Sequence, residues 1–473
     1  MSHLLILVPF CCVIILNLPI RKVMRSLAPV AAIVLSLLQV VMVLCFDCHF
    51  WQTQFGIIGT FFKFNLVVDR LAILMLLCIG IVSFVTAVIA RVLIKERKER
   101  FDFASLLLIS LSALNGIVMV RDIFSLYVFL EIAAVISFIL IAFKANLLAY
   151  EGAFKYIIFS AIASIFLLCG TSLLLITSGS TDFSLINASL TAQAFSPSII
   201  LAVGLFLVGL FIKAGVVPFH WWLPDAYSEA PSPVSVYLAG IVTKAVGVYA
   251  LIRVAVSVFG MHKSICTVFL LLGAVTIVVG AVAAITQTDF KRMLSYSSIS
   301  QVGYIILALG SASPLGIAAA CFHLFNHAIF KSLLFVNAAA VELQTGTRDM
   351  DKVSGLSQRM PITGLTSVLG SLSCAGIPPL AGFWSKLLIV IALLSTGHFV
   401  YAVVAVLASV VTLGYFLVMQ RKVFFGKISE EFSNIKEAGL GIVVPEIILA
   451  AITVGIGIFF PVILNRFILP LGG

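Results

Sequence analysis

Charge is what this sequence has least of: Asp, Glu, Lys and Arg make up 10% of its 473 residues, while 62% are hydrophobic. An ordinary soluble domain carries roughly a quarter charged residues and under half apolar ones. With a mean hydropathy of +1.22, the chain cannot cover a water-facing surface, which excludes a soluble enzyme, a secreted disulfide scaffold and a disordered protein. Short alternating segments, the mark of a membrane barrel, are also missing, and the long unbroken apolar runs predict spanning helices. Cysteine is poorly arranged for metal. Of nine cysteines, Cys11, Cys12, Cys78, Cys169, Cys266, Cys321 and Cys374 fall inside apolar runs as small buried hydrophobes. Cys45 and Cys48 sit together at an outer helix end, where a local disulfide is the alternative to two thiols. No second pair exists to build an iron–sulfur or zinc site. Neither H-E-x-x-H nor G-x-S-x-G occurs, so an intramembrane hydrolase or lipid transferase lacks its motif.

What is present is a series of apolar runs of spanning length. They lie near residues 3–20, 27–46, 67–90, 103–120, 123–143, 153–177, 197–217, 232–258, 264–286, 297–311, 315–341, 362–395, 398–420 and 440–464, about fourteen in all. Arg21, Lys22 and Arg25 follow the first run rather than precede it, the reverse of a signal peptide, so a retained helix is expected. Loops 21–26, 91–102, 144–155, 287–296, 342–361 and 421–439 hold 19 of the 29 Lys and Arg. The opposite loops and tails hold five: Lys63, Arg70, Arg121, Lys263 and Arg466. The net charge of +10 therefore reads as an orientation signal rather than a nucleic-acid footprint, with both termini outside and the basic loops in the cytoplasm.

The remaining basic residues, Lys213, Lys244, Arg253, Lys331 and Lys386, lie within spans, joined by Glu131. A charge near the bilayer centre costs at least ~2.5–3.5 kcal/mol on insertion scales and marks a candidate functional site. Arg253 and Lys331 lie nearer helix ends, and Arg253 could simply snorkel. A static pair between Glu131 and one lysine would only fix packing. Several buried lysines with one carboxylate leave an excess of basic groups, and a buried lysine gains or loses a proton as its partner's charge or its hydration changes. Proton transfer is the reading that this excess favours. His323, His327 and Lys331 fall at i, i+4 and i+8 on one helical face. Two histidines so spaced could ligate a metal, but further ligands are missing; hydrogen-bonded core histidines and a proton relay are the other readings, and the continuity of the stripe favours the relay.

Two spans are interrupted. KAGVVPFHWWLPDAYSEAPSPVS, from Lys213 to Ser235, carries four prolines, and no straight helix passes through it. CAGIPPLAGFWSKLLIV, from Cys374 to Val390, breaks in the same way at Pro378 and Pro379. Irregular backbone at membrane depth survives only where protein or a water-filled cavity covers it. Ala214-Gly215 before Pro218 parallels Ala375-Gly376 before Pro378, and Phe154-Lys155 parallels Phe330-Lys331. Spans 4–8 and 9–13 are therefore expected as two repeats. Five spans per repeat is odd, so the second must be inverted, as in many ion-coupled transporters.

The stretch from Lys213 to Arg253 resembles the proton-conducting antiporter-like subunits of respiratory complex I, Mrp-type cation/proton antiporters and energy-converting membrane-bound hydrogenases. LEIAAVISF around Glu131, DFKRMLSYSSISQVGY (Asp289–Tyr304), HLFNHAIFKSLLF (His323–Phe335) and AGIPPLAGFWSK (Ala375–Lys386) carry the same resemblance over most of residues 120–390. It implies an all-α polytopic membrane protein of about fourteen helices with two inverted five-helix repeats. The expected organisation is helices 1–3 over 1–102, a first unit over 103–258, a second over 259–420, and a cytoplasmic loop with the last helix over 421–473. Glu131 and Lys213 would be the modulating pair of the first unit and Lys244 its central relay. His323 and His327 would continue the path with Lys331, and Lys386 would be the terminal lysine of the second unit. His220, Asp225 and Glu229 could help admit protons, or cap the half-helices.

The resemblance further implies a non-redox subunit in a bacterial or archaeal cytoplasmic membrane, assembled with other membrane subunits, further antiporter-like subunits among them, and with a soluble redox arm. This chain would hold no cofactor. Iron–sulfur clusters, flavin or a nickel–iron site would belong to partner subunits. A self-sufficient Na⁺/H⁺ antiporter or solute carrier is the competing reading, although sodium needs oxygen ligands and the buried set is rich in lysine. A structural membrane anchor is the third.

Overall fold

The computed structural model describes residues 2–18, 21–45, 52–58, 62–192 and 196–465. Cys48, half of the pairing considered above, lies outside them. The described residues are mostly helical, and twelve of the helices among them are long and apolar enough to cross a membrane. It opens with α1 (Leu4–Leu16) and α2 (Arg21–Cys45), followed by an antiparallel hairpin, β1 (Gln52–Ile58) and β2 (Phe62–Val67). Then come α3 (Arg70–Leu93), α4 (Arg97–Met119), α5 (Ile123–Ile141), α6 (Leu147–Ser178), the short α7 (Phe183–Ala192) and α8 (Pro197–Ala214). After α9 (Trp222–Glu229), one span runs from Ser232 to Ser257, with α10 (Ser232–Tyr237) and α11 (Ala250–Ser257) at its ends. The rest comprises α12 (Lys263–Ile285), α13 (Phe290–Gly310), α14 (Pro314–Thr345), α15 (Pro361–Ala375), α16 (Ala381–Ser395), α17 (Phe399–Val423), α18 (Leu440–Ile458) and α19 (Phe460–Ile463).

The packing divides into two compact units. One comprises Met1–Ala87, Glu96–Gly215 and Ile241–Ser264, the other Val88–Lys95, Val216–Gly240 and Ile265–Gly473. The helices differ in how far their neighbours cover them. In the first unit α2 and α6 are mostly exposed, whereas in the second α13 and α14 are almost entirely enclosed. The enclosed helices are also the less apolar ones, because they carry the polar side chains that lipid would reject.

Both interrupted spans form as expected. The first half-helix of each ends on a glycine in the left-handed region, Gly215 (φ 68) after α8 and Gly376 (φ 86) after α15. A prolyl bond follows each stop, Val217–Pro218 and Pro378–Pro379, and both are cis. The expected run 362–395 is two helices of fifteen residues each, α15 and α16.

The two units share further local features. Asp122 caps α5, as Asp289 caps α13, each accepting a backbone N–H three residues on. Each aspartate also forms an isolated antiparallel bridge, to Asp182 and Asp349 respectively. These follow helices of equal length, since α6 and α14 both have 32 residues and stop at Gly179 and Gly346. The echo of Lys155 and Lys331 does not extend to their surroundings. Lys155 is a surface residue paired with Glu151, whereas Lys331 is fully buried.

Candidate functional site: two sets of buried charges

In the first unit, Lys213 lies in the last turn of α8, where the carbonyl end of the half-helix favours a cation. Its Nζ lies 3.1 Å from Oε1 of Glu131 on α5 and 3.3 Å from the Ser160 hydroxyl on α6. Ser164, one turn further along α6, donates to the same glutamate oxygen at 2.6 Å. The Lys213 side chain is 3% exposed and that of Glu131 30%. The lysine is therefore held inside while the carboxylate reaches the surface of the chain.

Lys244 is fully buried, near the middle of the Ser232–Ser257 span. Its helix is wider than an α-helix, with π turns over Leu238–Val242 and Lys244–Tyr249, a geometry often found at functional positions. Arg253 does not snorkel freely. Its guanidinium grips Asp69 through two bonds of 2.6 and 2.8 Å and also donates to the Tyr249 hydroxyl, with Arg121 3.1 Å from the same aspartate. Asp69, which also accepts the Ala72 N–H at the start of α3, was not singled out in the sequence.

In the second unit, Nδ1 of His323 meets the Ser385 hydroxyl at 2.9 Å, and the His323 and His327 rings stack at 6.3 Å between centroids. Lys386 donates to Ser409 at 3.3 Å and sits over the Tyr304 ring, 4.3 Å from its centroid. The Tyr304 hydroxyl lies 2.9 Å from Ser409, and its ring 5.8 Å from that of His323. His323, Ser385, Tyr304, Ser409 and Lys386 thus form one set of neighbours. Lys331 donates to Ser297 at 2.5 Å and to the Leu294 carbonyl at 3.2 Å. Among the described residues, no group of three His, Cys, Asp or Glu is arranged to hold a metal.

The residues beside the first break have other engagements. His220 lies in the break itself, nearly buried, with its ring 5.0 Å from that of Trp221. Asp225 pairs with Arg292 at 2.6 Å and Glu229 with Arg348 at 3.4 Å.

The Lys291–Glu342 pair and Glu446 also escaped the sequence reading. Lys291, counted there as a loop charge, is 1% exposed on α13 and lies 2.7 Å from Glu342. The signal was Asp289, an N-cap that starts the helix before Lys291. Glu446, on α18, is completely buried and accepts from Asn337 at 3.0 Å and from Thr363 at 3.1 Å. Its apolar surroundings were visible in GIVVPEIILA, and Glu131 is therefore not the sole carboxylate well inside a span.

Residues 120–412 match the family model described as NADH:quinone oxidoreductase/Mrp antiporter, transmembrane. The chain belongs to this family. The matched range includes every residue of the expected proton path, from Glu131 to Lys386, and excludes Asp69 and Glu446. Among its relatives is an Na(+)/H(+) antiporter subunit of Alkalihalophilus pseudofirmus, 31% identical over 86% of this chain and 81% of that protein. Another is an NADH-quinone oxidoreductase subunit of Desulforudis audaxviator, 35% identical over 77% of this chain and 72% of its own length. Among solved structures, a chain of the membrane-bound sulfane sulfur reductase, an archaeal respiratory membrane complex, superposes with a TM-score of 0.88. It is 28% identical, and the match spans 99% of this chain and 96% of that one. The protein is thus a multi-pass, antiporter-like membrane subunit.

Proposed function

We propose that the chain translocates protons within a multi-subunit, redox-driven membrane complex of the complex I or membrane-bound hydrogenase type. Other membrane subunits, further antiporter-like ones among them, would flank it, and a soluble redox arm would supply the driving force. On this reading, iron–sulfur, flavin or nickel–iron chemistry belongs to the partners. The path runs through Glu131, Lys213 and Lys244 in the first unit, and His323, His327, Lys331 and Lys386 in the second. His220, Asp225 and Glu229 lie on the uptake side.

The observation that carries this reading is the asymmetry of the Glu131–Lys213 pair, a carboxylate at the surface holding an ammonium that is 3% exposed. A charge change in an adjoining subunit can draw Glu131 away without disturbing the buried lysine. An ion pair at 4 Å is worth about 4 kcal/mol at an effective dielectric of ~20. Losing that stabilisation drives a proton off Lys213 and onward, with no covalent step. Its similarity to prokaryotic subunits supports a prokaryotic cytoplasmic membrane, and the charge bias of the loops supports both termini outside.

The test is ion movement by the native assembly in sealed vesicles, comparing wild type with Lys213→Ala and Glu131→Ala. Assembly is checked on native gels and Na⁺ flux is followed in parallel. Both variants should assemble and lose coupled transport; unchanged pumping would reduce the pair to packing. The alternative, an Mrp-type Na⁺/H⁺ antiporter subunit, is supported by the similarity to the Alkalihalophilus protein. It predicts Na⁺ movement that needs no electron donor.

A further inference from the structure

The second unit contains another lysine–glutamate–serine group, on the face that the loop charges assign to the cytoplasm. Lys291, the second residue of α13, lies 2.7 Å from Oε2 of Glu342 in the last turns of α14. Its Nζ also donates to the Ser232 hydroxyl at 2.7 Å, and Ser232 donates to the same glutamate oxygen. The lysine side chain is 2% exposed and the glutamate 28%, nearly the division found at Lys213 and Glu131.

Around the group stand Asp289, Arg292 and Tyr296 of α13, Asp225 and Glu229 of α9, and Arg348 beyond α14. Arg348 reaches both Asp289, at 3.2 Å, and Glu229, and its charge is also felt at Lys291 and Glu342. Arg292 holds Asp225 and interacts with Tyr296. Three cations thus face four carboxylates, and the surplus carboxylate leaves room for one proton. Burial pushes the Asp289 carboxyl up despite Arg348. Leu294 and Ser297, the residues that bond Lys331, follow Lys291 by three and six positions. At 1.5 Å per residue, Ser297 is about 9 Å further along the helix.

We propose that Lys291, Glu342 and Ser232 form a second proton-handling group, taking protons from the Asp225–Glu229–Asp289 cluster and passing them toward Lys331. This rests on the proton-translocating function proposed above. A static ion pair is the competing role, and arginine separates the two. Arginine keeps the charge and the partner but does not release its proton.

The experiment measures pumping by the native assembly in sealed vesicles for Lys291→Arg, Glu342→Gln and Glu342→Asp, with Lys213→Ala as comparator. Assembly is checked on native gels. K291R and E342Q are expected to assemble and pump at least about tenfold more slowly. E342D should recover part of the rate, with its dependence on cytoplasmic-side pH displaced. Wild-type pumping by K291R and E342Q while K213A is inactive overturns the inference and leaves the general function standing. Wild-type pumping by all three overturns both. If K291R and E342Q fail to assemble, Ser232→Ala decides. A slowed rate with a displaced pH profile supports the relay, and an unchanged profile refutes it.

Discussion

Asp69 carries two arginines on one carboxylate, and its protonation should register in stability. Burial alone would push it up, but Arg253 and Arg121 outweigh that and hold the carboxyl well below the usual range. A depressed folded-state pKa contributes stability above the unfolded value, about 3.9, and loses it as pH falls through the lowered folded value. Asp69→Asn leaves buried Arg253 without its counter-charge. Because the Asp69 side chain is 39% exposed, the cost is expected to be modest, about 1–3 kcal/mol. Thermal unfolding of wild type and D69N should differ by a constant amount above about pH 5 and converge as Asp69 protonates. A difference that stays the same down to the lowest accessible pH would count against the ion-pair account.

Glu446 poses a different question at the same scale. It receives hydrogen bonds from Asn337 and Thr363, both uncharged donors. Glu446→Gln preserves size and one acceptor and is expected to unfold close to wild type. Glu446→Leu leaves one N–H of the buried Asn337 amide without an acceptor, the other still donating to Thr366, at a cost of about 1–3 kcal/mol. Equal melting of the two variants would show that the hydrogen bonds contribute nothing.

At the scale of elements, the half-helices and the π turns place the ammonium groups. The widened stretch carrying Lys244 packs at Gly247 against the backbone of Lys213 and Ala214, where any Cβ would collide. Gly247→Ala should therefore force the stretch off α8, costing about 1–3 kcal/mol for overpacking. It should also lower pumping more than a surface substitution of equal stability cost. Transport at the wild-type rate in G247A would mean that the spacing of these helices is not critical. The second break is anchored differently. Trp384 donates to the Gly457 carbonyl at 2.9 Å and stacks on Phe460 at 4.4 Å, whereas Trp221 beside the first break is exposed. The sequence parallel between the two proline breaks did not reveal this, because a shared motif does not specify what packs against it.

At the scale of the whole molecule, the orientation is open to a direct check. Single cysteines introduced in loops 91–102 and 421–439, in a background cleared of native cysteine, should react with an impermeant maleimide only when the cytoplasmic face is open. Labelling from the outside would reverse the topology and move the Lys291 group to the opposite surface.

How much of this was legible in advance depends on the range of the interactions. The helices were legible because lipid leaves a backbone no other way to satisfy its N–H and C=O groups, so hydropathy alone reports them. The breaks were legible from proline and glycine chemistry, which is local. Lys213, Lys244, Lys331 and Lys386 stood out because a charge in an apolar run is costly wherever it points. The Glu131–Lys213 pairing came only through resemblance to a family, since the partners are 82 residues apart. Lys291 was misplaced in a loop and Asp69 passed unnoticed, because neither lies inside an apolar run. Tertiary structure alone decided that Lys291 meets Glu342, that Arg253 is held by an aspartate 184 residues away, and that the glutamate rather than the lysine of each pair reaches the surface. Sequence determines the cost of a buried charge; only the packing of distant helices determines what neutralises it.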